Sequence, residues 1–137
     1  SKETLLGMEV SQNQTGTILY VEDNVSNLEL VEQILALSNK KIELVHTSYG
    51  KLAAQMVLEH QPLLVLLDLN LPDIHGSQVL ADLKANPATK DIPVIVVSAD
   101  AMPKQIEDLK KLGAVNYLTK PLDVHVFLHE IDKYMAL

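Results

Sequence analysis

Leu63-Leu64-Val65-Leu66-Leu67-Asp68 is the stretch that decides the fold. Five apolar residues run together without alternation and stop at a carboxylate. A strand exposed on one face alternates apolar and polar residues, whereas a strand covered on both faces does not. The run therefore reads as the central strand of a parallel sheet, with Asp68 at its carboxyl end.

Outward from this strand the pattern repeats. Ile18-Leu19-Tyr20-Val21 is a second unbroken apolar run, ending at Glu22-Asp23-Asn24, and Ile42-Glu43-Leu44-Val45-His46 reads as a third. Ile92-Pro93-Val94-Ile95-Val96-Val97 ends at Ser98, and Ala114-Val115-Asn116-Tyr117-Leu118-Thr119 ends at Lys120-Pro121. Between these runs apolar residues recur at helical spacing. Leu28, Val31, Ile34 and Leu35 mark one inner face, and Ala53, Met56 and Val57 another within a helix over 52–60. Val79, Leu80 and Leu83 mark a third helix that Asn86-Pro87 ends, and Ile106, Leu109 and Leu112 a fourth that Gly113 stops. Phe127, Leu128, Ile131 and Met135 mark a fifth, after Asp123. Strand and helix alternate five times, which predicts an α/β fold with helices on both faces of a parallel sheet.

The chain of 137 residues fits one domain. Residues 1–16 are polar and aperiodic and read as a linker or tail, leaving 17–137 as the folded unit. There is no cysteine, which excludes a disulfide framework and thiolate zinc sites and suits a reducing compartment. No apolar run is long enough to span a bilayer, so no membrane insertion is expected. The net charge of −7 disfavours a nucleic-acid partner, whose phosphates attract basic surfaces.

Ligands of open parallel sheets bind beyond the carboxyl ends of the strands. The residues there are Glu22 and Asp23, Asp68, Ser98 and Lys120. Three carboxylates in one cleft repel each other, and a bound cation relieves that. An oxygen-rich site with few protein ligands suits Mg²⁺. A metal, a lysine and a hydroxyl make a good environment for a phosphoryl group, and a carboxylate can accept one covalently.

Val21-Glu22-Asp23-Asn24, Leu67-Asp68-Leu69-Asn70-Leu71-Pro72-Asp73, Val97-Ser98-Ala99 and Leu118-Thr119-Lys120-Pro121 together resemble the receiver domains of two-component response regulators. The resemblance extends from Thr17 to Leu137. It implies a flavodoxin-like (βα)5 sandwich with strand order 2-1-3-4-5. It implies Asp68 as phosphoacceptor, Asp23 and Asp68 as direct Mg²⁺ ligands, Glu22 reaching the metal through water, and the backbone carbonyl of Asn70 as a further ligand. Ser98 resembles the hydroxyl that bonds the phosphoryl oxygen, and Lys120 the lysine that pairs with it. Tyr117 resembles an aromatic switch, expected to rotate into space beside Ala99 on phosphorylation. Ser98 stands where Thr is commoner, and Glu22 is longer than Asp.

The implied activity is Mg²⁺-dependent phosphoryl transfer from a histidine kinase or a histidine phosphotransfer domain, with self-catalysed dephosphorylation. The implied location is cytoplasmic, and a phosphorylation-dependent dimer is a further possibility of the family. The wording of the motifs, with Ser98-Ala99-Asp100-Ala101-Met102-Pro103, most resembles receivers attached to hybrid histidine kinases; a stand-alone regulator is the alternative. A haloacid-dehalogenase-like phosphatase is disfavoured because Asn70 stands where its general acid would be. A flavin carrier is disfavoured because Glu22-Asp23 would repel a phosphate. A degenerate docking receiver is disfavoured by the complete acceptor set.

Among weaker features, His125 and His129 have a spacing that can share a metal but lack a third ligand. Lys110-Lys111 suits a helix end, and Asp73 and His75 suit a turn. No sequence-selective DNA binding is expected. A gel-shift titration at physiological salt checks this, and tight retention of a specific duplex would contradict it.

Overall fold

The computed structural model describes residues 16–135. The strands are β1 (Gly16–Val21), β2 (Ile42–Thr47), β3 (Leu64–Leu67), β4 (Val94–Ser98) and β5 (Asn116–Thr119). The helices are α1 (Val25–Ala36), α2 (Ala53–His60), α3 (Gly76–Ala85), α4 (Pro103–Leu112) and α5 (Val124–Tyr134), with a 3-10 turn over Gly50–Leu52. The strands form one parallel sheet in the order β2-β1-β3-β4-β5. This is the flavodoxin-like arrangement expected from the sequence.

The period of two along each strand explains why the apolar runs are unbroken. Leu19, Val21, Val65, Leu67, Val94 and Val96 enter one core with Val57 of α2, Val79, Leu80 and Leu83 of α3 and Leu109 of α4. Ile18, Tyr20, Leu64, Leu66, Ile95 and Val97 enter the other with Leu28, Val31 and Ile34 of α1 and Phe127 and Ile131 of α5. Both faces are therefore dry, and polar side chains gather at the strand ends.

Several boundaries differ from the sequence reading. β1 starts at Gly16, one residue inside the expected linker, because the Gly16 amide already donates to the Lys41 carbonyl at 3.0 Å. The rest of that segment, 1–15, lies outside the described residues. Leu63 precedes β3 and is 38% exposed, while its amide donates to Thr17. Leu112, expected on the inner face of α4, is 42% exposed. It sits in the last turn, where the chain leaves the core. Among the described residues no helix is long and apolar enough to cross a membrane.

Local signals set the helix ends. The side chains of Asn24 and Asp123 accept from the Asn27 and Val126 amides, capping α1 and α5. Pro103 occupies the first turn of α4, and Gly113 leaves it at φ 121°, a conformation that side-chain-bearing residues rarely adopt. Gly76 opens α3 directly under the loop carrying Asp68. Its amide donates to the Leu69 carbonyl at 2.8 Å, and a Cβ there would lie 2.7 Å from Leu69 Cα. Gly76→Ala should therefore destabilise the fold by about 1–3 kcal/mol, the usual cost of overpacking against backbone. Urea unfolding measures this, and an unchanged midpoint would show that the loop yields freely.

Candidate phosphoacceptor site

The strand order reverses at β1: the chain moves from β1 to β2 on one side and to β3 on the other. The ends of β1 and β3 thus flank a cleft that neither neighbouring loop closes. The Asp68 amide donates to the Val21 carbonyl at 3.0 Å, and the Glu22 amide to the Thr47 carbonyl at 3.0 Å. These bonds continue the sheet just far enough to fix both acidic residues at its rim.

Glu22, Asp23 and Asp68 each offer a carboxylate oxygen, and these oxygens lie within 4.8 Å of one another. Glu22 and Asp68 are buried, and Asp23 is exposed. Lys120 reaches in from the end of β5. Its Nζ lies 3.2 Å from Glu22 Oε2 and 3.6 Å from Asp68 Oδ1. Glu22 Oε1 accepts from the Asn24 amide at 3.1 Å and from Asn27 Nδ2 at 3.2 Å. Asp68 Oδ1 accepts from the Leu69 amide at 2.9 Å. The peptide bond between Lys120 and Pro121 is cis.

Burial raises the Asp68 pKa above the ordinary aspartate value, and the charge of Glu22 raises it further. Lys120 and the amides of Leu69 and Asn70 pull it down without cancelling the rise. One ammonium faces three carboxylates, so the cleft keeps an excess of negative charge. Tyr20 feels the same field: burial, then Glu22 and Asp68, hold its hydroxyl protonated well above the usual tyrosine range.

Ser98 is buried at the end of β4, and its backbone carbonyl accepts from the Lys120 amide at 2.9 Å. Its Oγ accepts from the Asp100 amide at 3.2 Å. The Asp100 carbonyl in turn accepts from the Tyr117 hydroxyl at 2.5 Å, and Gln105 Nε2 donates to that hydroxyl at 3.1 Å. Tyr117 is 8% exposed. Its ring is thus packed inward. The two polar partners of its hydroxyl in the β4–α4 segment account for this, since a buried tyrosine needs such partners.

The structure thus brings together Glu22, Asp23, Asp68 and Lys120, with Ser98 joined to Lys120 through its backbone. Asn70 follows in the exposed loop after Asp68. His125 and His129 are exposed on α5, away from the acidic group. Lys111 pairs with Glu107 at 3.0 Å in the last turns of α4, a surface role.

Two features escaped the sequence reading. Asp73, there only a turn residue, accepts from the Gly50, Lys51 and Ile74 amides, each at 2.9 Å. It staples the loop after Asp68 to the segment leading into α2. Glu130, which drew no attention on the last helix, is buried between Asn116 and Lys133. The i,i+3 spacing of Glu130 and Lys133 was the signal available for it.

The chain matches the family model described as response regulator receiver domain over residues 18–132. It is 34% identical over 122 residues to the polar-differentiation response regulator DivK of Brucella ovis, covering 89% of this chain and 98% of that protein. A structure of the Mn(2+)-bound form of response regulator Rcp1 superposes with a TM-score of 0.74 at 32% identity, covering 87% of this chain and 93% of that one. The phosphorylated cyanobacterial phytochrome response regulator RcpA superposes with a TM-score of 0.78 at 30% identity, covering 89% and 94%. The fold and the acidic cleft define a two-component receiver. This chain belongs to the response regulator receiver domain family.

The raised Asp68 pKa has a consequence for stability. The folded protein holds the Asp68 proton more tightly than the unfolded chain does. Ionisation of Asp68 therefore detracts from stability, an effect absent below the unfolded-state pKa and complete above the raised folded one. Asp68→Asn removes the ionisation. Without divalent cations the variant should unfold at higher urea than the parent at neutral pH. The gain should shrink toward zero near about pH 3, below the ordinary carboxylate range. A variant less stable at neutral pH would mean that Lys120 outweighs the burial of Asp68.

Proposed function

We propose that this chain accepts a phosphoryl group on Asp68 from the phosphohistidine of a histidine kinase or a histidine phosphotransfer domain. The observation that carries this reading is the meeting of the buried Asp68 carboxylate with Lys120, Glu22 and Asp23 in an open cleft at the sheet edge. In the transfer an Asp68 oxygen forms a bond to phosphorus. The phosphorus–nitrogen bond breaks, and its electron pair stays with the imidazole nitrogen. Lys120 supplies positive charge to the incoming oxygens, and the Ser98 hydroxyl donates to one of them. Hydrolysis by water then returns Asp68 to the free carboxylate.

The donor set fits Mg²⁺, being all oxygen, crowded and left with excess negative charge. Asp23, Asp68 and the Asn70 carbonyl would hold it, with Glu22 reaching it through water. When bound, the ion neutralises charge building on the phosphoryl oxygens.

The same chemistry gives a readout. Ser98, Asp100 and Tyr117 already form a bonded chain from the cleft to β5. When Ser98 turns its hydroxyl toward a phosphoryl oxygen, the Asp100 amide loses its acceptor and the β4–α4 segment must readjust. Tyr117, tied to Asp100, carries that change to the face formed by α4, β5 and α5. In this reading the inward ring belongs to one of two pre-existing forms whose ratio phosphorylation shifts. Leu112 of α4 and Val126 of α5 are exposed apolar groups of this face, and a phosphorylation-dependent dimer would use them.

The 34% identity to DivK supports reading this chain as a receiver of the DivK kind. A cytoplasmic setting, where kinases of this system keep their phosphohistidines, is part of the same proposal.

Phosphorylation by a small phosphodonor should add one phosphoryl group by intact mass, need Mg²⁺, and vanish in Asp68→Asn. Asp23→Ala should weaken Mg²⁺ binding by about tenfold or more, on the scale of a lost charged ligand, in a titration followed by amide shifts. Labelling that persists in Asp68→Asn would overturn the assignment.

A further inference from the structure

Tyr20 lies on β1 two residues before Glu22, so both side chains leave the strand on the same face. It is fully buried among Ile18, Leu66, Val97 and the inner faces of α1 and α5. An aliphatic side chain would satisfy that core. The tyrosine instead carries a hydroxyl to the top of it, where the oxygen is buried and close enough to Glu22 to be drawn weakly toward it, yet closes no hydrogen bond of normal geometry. A buried donor left unmade costs stability, so its presence calls for an acceptor in some other state of the protein. The ring borders a cavity of about 340 Å³ whose lining includes Asn27, Ala99, Lys120 and Pro121. The hydroxyl therefore faces the side chains that hold Glu22, with space in which they can move.

Glu22 is 1% exposed, and its two oxygens are held differently. Oε1 has two donors from the start of α1, Asn24 and Asn27. Oε2 has Lys120. Lys120 is shared with Asp68, and a phosphoryl group on Asp68 adds oxygens of higher charge beside it. When Lys120 turns to those oxygens, Glu22 Oε2 is left buried without its donor, a costly state for a carboxylate.

We propose that Tyr20 is a positioning residue that donates to Glu22 when Lys120 leaves it for the phosphoryl group. The spare donor and the orphaned acceptor come from the same side of β1, and Lys120 and Asn27, the side-chain donors to Glu22, line the cavity that Tyr20 borders. In the resting protein Lys120 serves Glu22 and the Tyr20 hydroxyl waits. In the phosphorylated protein Lys120 serves phosphate and Tyr20 serves Glu22, so no buried charge is stranded. Tyr20 touches neither phosphoryl group nor acceptor and acts through Glu22 alone. The inference rests on Asp68 as phosphoacceptor.

Beryllofluoride, which mimics a phosphoryl group on a carboxylate, separates the two questions when added with Mg²⁺ to the full chain and to Tyr20→Phe. Phenylalanine keeps the ring and removes only the hydroxyl. Without ligand the variant should melt at the same temperature as the parent or higher, because it loses no hydrogen bond. Its beryllofluoride affinity, read by fluorine NMR, should fall about tenfold, the scale of one hydrogen bond to a charged group. The Glu22 carboxyl carbon shift should respond to beryllofluoride differently in parent and variant, which a purely structural role would not produce. Equal affinity in the two proteins would overturn the role of Tyr20 and leave Asp68 as acceptor. A ligand-free variant that melts well below the parent would also overturn it, since the hydroxyl would then already be engaged at rest. A parent that binds no beryllofluoride would overturn the acceptor reading, and this inference with it.

Discussion

The ammonium of Lys120, between Glu22 and Asp68, holds together an arrangement that would otherwise push itself apart. Two buried carboxylates and one exposed one converge where β1 and β3 end, and burial makes their repulsion stronger than it would be in water. A single ammonium lowers that repulsion without removing it. The excess charge that remains is what a bound cation would relieve. A site fully neutralised at rest would be more stable and would have less to offer an incoming group.

The rest of the fold serves to keep those charges in place. The inner strands β1, β3 and β4 are buried on both faces, which leaves the acidic side chains at their ends. Strand pairing extends by one bond at each end, through Val21 to Asp68 and Thr47 to Glu22, and stops there. Beyond that point short polar contacts take over. Asp73 ties the loop after the acceptor to the approach of α2, and Gly76 lets α3 begin against the same loop. The carboxylates are held by several backbone and side-chain donors, whereas in the β4–α4 segment Ser98, Asp100 and Tyr117 are linked by single hydrogen bonds. That division suits a domain that must accept a group in a fixed place and report it elsewhere.

Belonging to the receiver family and sharing the fold of Rcp1 and RcpA place this chain among proteins built on the same compromise. Within this chain Tyr20 brings a hydroxyl into a hydrophobic core, and Glu22 reaches farther from the end of the same strand than an aspartate would.

Much of this was legible in the sequence because strand burial and strand ends leave plain marks. Short unbroken apolar runs bounded by turn residues read as strands covered on both faces, and their order along the chain with helices between them implies a parallel sheet. Each run stopped at a residue of a particular chemistry, so Glu22, Asp23, Asp68, Ser98 and Lys120 could be named before any coordinates. Other facts depended on distances between residues far apart in the chain. Tyr117 read as a switch residue, and the positions of Asp100 and Gln105 decide which groups its hydroxyl meets. Asp73 read as a turn residue, and only the packing of the β2–α2 approach against its loop makes it an acceptor for three amides. Glu22 and Lys120 are 98 residues apart, and no periodicity relates them. The sequence determined which residues stand at the rim of the sheet, because burial is written in local pattern. The tertiary structure alone decided which of them share a proton, a donor or a charge, because those relations depend on separations of a few ångströms that the chain's order does not encode.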